Sequence, residues 1–279
     1  MTGIECKALT DGQLLAKFVT KRDESSFEEL IRRHSSMVYS ACRRLVRVPS
    51  DAEDAAQAVF CALSMRASDV ELHSRESLAG WLYESAVHVG LRAREAAVAR
   101  SRHELEASTM RDMVVSAAEE WNRLEPILDG ELNALPEKYR LAIILHHLEQ
   151  RSVEETAGLV CCSVDALKQR LLRGREMLKD RLTRSGLALN VALLAALLDK
   201  ASTSFAPPSW FAVGAGKSAI GLGAASKQTV ELARSAAEAM RRREHGRRVR
   251  AAMIAATLLL ALFSDVAGGI RHAARSGNH

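Results

Sequence analysis

SVEETAGLVCCSVDALKQRLLRGR, residues Ser152–Arg175, reads as two short helices joined by a tight turn. Ser152 is an N-cap residue type, and Glu155 three positions later completes a capping box. Val153, Ala157 and Val160 fall on one face of the first helix, and the small Ala157 lets a second helix cross closely. Cys161-Cys162-Ser163 is too short for a long loop, so Ser163 predicts the cap of the next helix. Val164, Leu167 and Leu171 then repeat at helical spacing and must face inward. Asp165, Gln169 and Arg173 point outward, with Lys168 and Arg170 on the flanks. Such a helix-turn-helix can lay its second helix in a DNA major groove. The alternative is a helical hairpin with a solvated basic face.

Upstream, Leu128, Leu132 and Leu135 form a stripe ended by Pro136, which suits the first turn of another helix. There Leu141, Ile144, Leu145 and Leu148 share a face. Downstream, the second helix of the pair runs to about Leu182, and Gly186 marks its stop. These elements define a unit over 124–185. A further helical unit is expected over 8–100, with a charged, weakly periodic linker at 101–123. In it Asp11–Lys21 is amphipathic, Ser25-Ser26-Phe27-Glu28 looks like a capping-box start, and Pro49 breaks the chain. Ser50-Asp51-Ala52-Glu53 then opens a third helix and Leu78–Ala99 forms a fourth, with Leu78, Trp81, Leu82, Ala86 and Val89 inward. The expected fold is therefore all-α: two small helical domains and a C-terminal helical extension at 186–279.

Composition agrees. Hydrophobic residues make up 48%, aromatics only 4%, and prolines number 5, which favours helices throughout. A net charge of +5 permits a polyanionic partner without proving one. Cys6, Cys42, Cys61, Cys161 and Cys162 contain no C-x-x-C pair and read as reduced, as in a cytoplasmic protein. The N-terminus has no basic segment followed by an apolar core, so no signal peptide is expected.

Three stretches in order carry a resemblance: DAEDAAQAVF (Asp51–Phe60), ESLAGWLYESAVHVGLRAR (Glu76–Arg94) and LNALPEKYRLAIILHHLEQRSVEETAGLVCCSVDALKQRLLRGREMLKDRL (Leu132–Leu182). The chain resembles the extracytoplasmic-function sigma factors of bacterial RNA polymerase over about Leu9–Arg184. The first stretch is similar to region 2.2, which docks on the polymerase clamp. The second is similar to regions 2.3 and 2.4, which melt and read the promoter −10 element, and the third to region 4, which reads the −35 element. The resemblance implies a sigma factor that binds core polymerase, through its β′ clamp and β flap, and promoter DNA. It also admits an anti-sigma partner.

By this resemblance Asp51, Glu53, Asp54 and Gln57 form an electrostatic docking face. Taken alone, the same acids are a helix N-terminus and its solvation. The family often places an acid after the Gln, where Ala58 stands, which predicts a weaker face. The loop 67–77 would supply the pocket for a base leaving the stack. Arg75, Arg92 and Arg94 would hold the single-strand backbone, and the outward His88 would touch DNA. Trp81 is either a stacking platform or core, and its register favours core. In region 4, Ser163 would meet a phosphate. Lys168, Gln169, Arg170 and Arg173 would meet groove and backbone, with Gln169 suited to bidentate pairing with adenine.

Other patterns lead nowhere. Gly214–Ser218 resembles a phosphate loop but has Phe211 where the first Gly belongs. His146-His147 lacks the HExxH pattern, so packing is preferred to metal binding. No nucleophile stands beside a base, so neither an enzyme nor a cofactor is expected. At the C-terminus the basic run Arg241–Arg250 precedes the uncharged run Ala251–Phe263, which reaches the length of a span by extending through Asp265 to Ile270. About 20 residues are needed to span a ~30 Å core, so this run reads as a membrane helix anchoring the chain to the inner face of the cell membrane. The alternative is a soluble amphipathic helix packed on the sigma domains. Two further function classes stay open: a stand-alone helix-turn-helix regulator tethered to the membrane, and a membrane-associated protein whose basic faces bind lipid. A simple regulator has no use for DAEDAAQAVF.

Overall fold

The computed structural model describes residues 9–69, 78–105, 126–187 and 225–246, with 194, 195, 197–199, 201, 207, 208, 211, 219, 249 and 253. Among the described residues the fold is all-α. Two compact units divide the chain, Met1–Ala237 and Glu238–His279.

Four helices begin the first unit. Helix α1, Asp11–Lys21, has a full capping box between Thr10 and Gln13, and Arg22 ends it in the left-handed region at φ 52°. Helix α2 is Glu24–Leu45, and its N-cap is Asp23, upstream of the expected Ser25 start. Both serines instead donate their hydroxyls to the Asp23 carboxylate, each at 2.6 Å. Helix α3, Pro49–Arg66, corrects a second expectation. Pro49 does not break the chain but opens the helix, where its missing N–H is no loss. Helix α4 is Leu78–Leu105.

Helices α2, α3 and α4 bury one apolar core. Phe27, Leu30, Ile31, Val38, Val59, Phe60, Leu63, Leu78, Leu82 and Val89 lie in it, and Trp81 belongs to the same buried set. A Cβ on Gly90 would stand 2.6 Å from Leu45 Cδ1 and 3.0 Å from Leu45 Cβ, so α2 and α4 cross closely enough that even a methyl here would force Leu45 to shift.

The next group starts with α5, helical over 126–133. Helix α6, Glu137–Ile143, has Pro136 at its N-cap and widens into a π-turn over Ile144–Leu148. Gln150, left-handed at φ 54°, ends that turn. Helix α7, Val153–Leu159, has both halves of the Ser152–Glu155 capping box. Cys161, left-handed at φ 48° and exposed, makes the sharp turn. Helix α8, Val164–Arg184, follows. Gly174 lets α8 lie against α6, since a Cβ there would meet Ile143 Cδ1 at 3.1 Å.

Buried ion pairs join the two helix groups. Arg44 of α2 donates two hydrogen bonds to Asp129 of α5, at 2.8 and 2.7 Å. Tyr83 of α4 donates to the same carboxylate at 2.6 Å, and Arg44 reaches the Ala201 carbonyl at 2.7 Å. His34 of α2, fully buried, lies 2.9 Å from Asp11 and 2.6 Å from Glu149. Arg140 of α6 faces Glu84 of α4 at 3.8 Å.

In the second unit, 238–246 is helical, with Arg241, Arg242 and Arg243 exposed. Among the described residues no helix is long and apolar enough to cross a membrane. The run 251–270 lies outside the described residues except Met253, as do Arg75, loop residues 70–77 and most of the expected linker.

Candidate nucleic-acid interface

Helix α8 carries the first site. The Ser163 Oγ accepts from the Ala166 N–H at 3.2 Å, so this side chain fixes the helix start as its residue type demands. Leu167, Leu171, Leu178 and Leu182 are buried along one side. Lys168, Gln169 and Arg173 are exposed together on the other, and Arg170 is half-buried. Arg173 also reaches Tyr139 of α6, whose hydroxyl it and then Lys138 hold below the usual tyrosine range. Lys138 lies 4.9 Å from the centre of the same ring. Sequence reasoning missed these two; the basic-aromatic pair KY after Pro136 was the available signal.

On α4, Arg92 and Arg94 are exposed. Arg92 stands 3.7 Å from Glu95, a surface pair too solvated to hold it back from another anion. His88 departs from expectation: it is half-buried, and its Nε2 lies 3.3 Å from the Ser235 hydroxyl. A residue near the chain's far end covers it. Of the four candidate side chains of the −10 face, Arg92 and Arg94 are exposed, His88 is half-buried, and Arg75 lies outside the described residues.

The first three turns of α3 hold Asp51, Glu53, Asp54 and Gln57, all half-buried. Burial pushes Asp54 above the usual carboxylate range, opposed by a hydrogen bond from Thr229 and reinforced by Asp51. Glu53 stands near enough to help raise the Tyr39 hydroxyl, after burial. Ala58 is fully buried, so an acid at that position would face the core and not a partner.

A cluster no local pattern announces lies between α1, α2 and the end of the π-turn. Burial alone would push His34 down, but Glu149 and Asp11 overcome it and hold the imidazolium to about 9. Asp11 is raised by burial and drawn down by His34 and Arg33 to about 2. Glu149, similarly buried, is held low by His34 and Arg151. His147 pairs with Asp199 at 2.6 Å, and His146 Nδ1 lies 2.9 Å from the Arg151 carbonyl oxygen. Among the described residues no group of three or more His, Cys, Asp or Glu is placed to hold a metal.

Comparison with known proteins adds the frame. Residues 30–98 match the Sigma-70 region 2 family, and residues 127–178 match Sigma-70, region 4. Over 193 residues the chain is 30% identical to the ECF RNA polymerase sigma-E factor of Escherichia coli K12, an alignment covering 62% of this chain and 94% of that one. It is 26% identical over 182 residues to the ECF RNA polymerase sigma factor SigW of Bacillus subtilis, covering 60% and 94%. With SigE of Mycolicibacterium smegmatis it shares 29% over 167 residues, covering 57% of this chain and 62% of the relative. A solved sigma factor RpoE, crystallised with the anti-sigma factor NepR from Bartonella quintana, is 23% identical over 56% of this chain and 94% of its own. Its TM-score is 0.27, too low to compare arrangements.

Proposed function

The chain belongs to the extracytoplasmic-function sigma factors, and from that footing we propose how its own residues divide the work. As a member it binds core RNA polymerase and directs promoter recognition and transcription initiation. Sigma factors are not enzymes: charge and shape do the work, and the polymerase supplies the chemistry.

Helix α8 enters the major groove of the −35 element. Gln169 reads a base, its amide suited to the N6 and N7 edge of adenine. Lys168, Arg170 and Arg173 neutralise phosphates, and Ser163 offers its hydroxyl at the helix start. Arg92 and Arg94, with Arg75 and His88, hold the melted −10 strand. Asp51, Glu53, Asp54 and Gln57 meet the β′ clamp, while the region 4 group meets the β flap. The observation that best supports this division is that α8 exposes Lys168, Gln169 and Arg173 together, with Leu167 and Leu171 buried behind them.

Reconstitution with core polymerase and a genomic library, reading transcript start sites, tests the whole. Gln169→Ala is expected to relax one −35 position, while Lys168→Ala weakens binding on every sequence. Start sites unchanged by both would remove α8 from the reader's role.

Two finer points belong to the same reading. An anti-sigma partner would compete with core polymerase for the α3 acids. The basic run Arg241–Arg250 ahead of the uncharged run Ala251–Phe263 supports attachment to the inner face of the membrane, with the sigma part cytoplasmic. Fractionation of the full chain against one ending at Gly246 tests this, and equal partitioning removes the anchor.

A further inference from the structure

The face assigned to polymerase is already covered. Phe211, 2% exposed, packs its ring against Tyr39 at 5.8 Å and Phe60 at 6.4 Å between centroids. Phe60 lies on α3, one turn beyond Gln57. Thr229, fully buried, hydrogen-bonds Asp54. It is oriented by Ser226, whose Oγ accepts from the Thr229 N–H at 3.1 Å and pairs with its hydroxyl at 2.8 Å. Ser235 meets His88, Ala201 accepts from Arg44, and Asp199 pairs with His147. Described residues after α8 thus touch Asp54 of the docking face, the −10 helix and the region 4 group.

The kind of contact matters as much as its place. Among the described residues Asp54 meets a neutral hydroxyl and no Lys or Arg, so its negative charge is covered there without being compensated. Burial and the neighbouring Asp51 both oppose that charge. A partner that brings a base to Asp54 gives it a stronger, charge-assisted hydrogen bond than Thr229 does. Phe211, by contrast, is an apolar anchor that holds the segment down while no such partner is present.

We propose that Phe211 and the described stretch 225–237 are a built-in cover of the polymerase-docking face, and that the full chain joins core polymerase only as they leave α3. The inference rests on the assignment of Asp51, Glu53, Asp54 and Gln57 to polymerase. The covering segment belongs to the chain itself, so inhibition needs no second protein.

The test measures the affinity of full-length variants for core polymerase. Phe211→Ala and, separately, Thr229→Val are expected to tighten binding, about tenfold for the first and severalfold for the second. Affinity for −35 duplex DNA alone should stay unchanged in both. Asp51→Lys, measured alongside, is expected to weaken binding. Weakened binding in Asp51→Lys with no gain in either extension variant overturns the cover and leaves the docking face standing. No effect of Asp51→Lys removes the docking face, and the cover with it. Should Phe211→Ala lose its helical circular dichroism, hydrogen exchange on the unaltered chain decides. Amides of 227–237 should lose protection when core polymerase is added, and protection retained in the bound chain overturns the cover.

Discussion

Asp129→Ala would take from the buried Arg44 guanidinium the carboxylate that accepts two of its hydrogen bonds. Both side chains are 1% exposed, so water cannot take over the charge. Breaking such a pair costs about 3–5 kcal/mol, and urea unfolding should show a loss of that size. His34 gives a second residue-level expectation, this time in pH. Its folded value of about 9 lies above its ordinary 6.5, so its contribution is complete below 6.5 and is lost as pH rises through about 9. Asp11 runs the other way. Its contribution is present above its ordinary 3.8 and is lost as pH falls through about 2. Glu149, also lowered, has the same sense as Asp11, and the fixed charges of Arg33 and Arg151 stand beside the cluster. The urea midpoint should therefore fall steadily above neutral pH, and His34→Gln should flatten that alkaline slope. None of these residues is legible from the sequence. Arg44 and Asp129 lie 85 positions apart, and His34 and Glu149 lie 115 apart, so no helical period links them.

Helices, in contrast, were written plainly. The inward face of α8 follows from Leu167 and Leu171, and its start from Ser163, because period and cap are local properties. Ser163→Ala should cost about 1 kcal/mol in thermal unfolding through the lost cap. Where two local signals compete, the sequence misleads. Ser25 lost to Asp23 because a carboxylate can take both serine hydroxyls, and Ser50 lost to Pro49 because proline is preshaped for the first turn. The π-turn at Ile144–Leu148 gave no sign, since a widened turn keeps the apolar pattern of an α-helix nearly intact. Close crossings are likewise invisible until the partner is known. Gly90→Ala should destabilise by about 1–3 kcal/mol, because the new methyl meets Leu45 Cδ1 at 2.6 Å and Leu45 Cβ at 3.0 Å. Combining it with Leu45→Ala should cost less than the sum of the two single changes.

For the molecule as a whole, charge sets how DNA is held. Lys168, Arg170 and Arg173 offer three cations on α8, so affinity for −35 DNA should fall with salt at a log–log slope of about −3. Lys168→Ala should reduce that slope by about one, and a titration across salt concentrations measures both. Family and fold class could be read from ordered motifs, because each is a contiguous pattern. The covering contacts could not, because Phe211 and Thr229 meet α3 as single side chains more than 150 positions from the residues they touch there. The turn ahead of α8 has a practical use. Cys161 is exposed, whereas burial pushes the Cys61 thiol up to about 11 and Cys42 higher still, and Cys162 is half-hidden. In a Cys6→Ser background, a maleimide fluorophore should therefore settle at Cys161, two residues before the cap of the reading helix. Promoter occupancy then becomes visible as a change in emission, with the bases of α8 left as nature placed them.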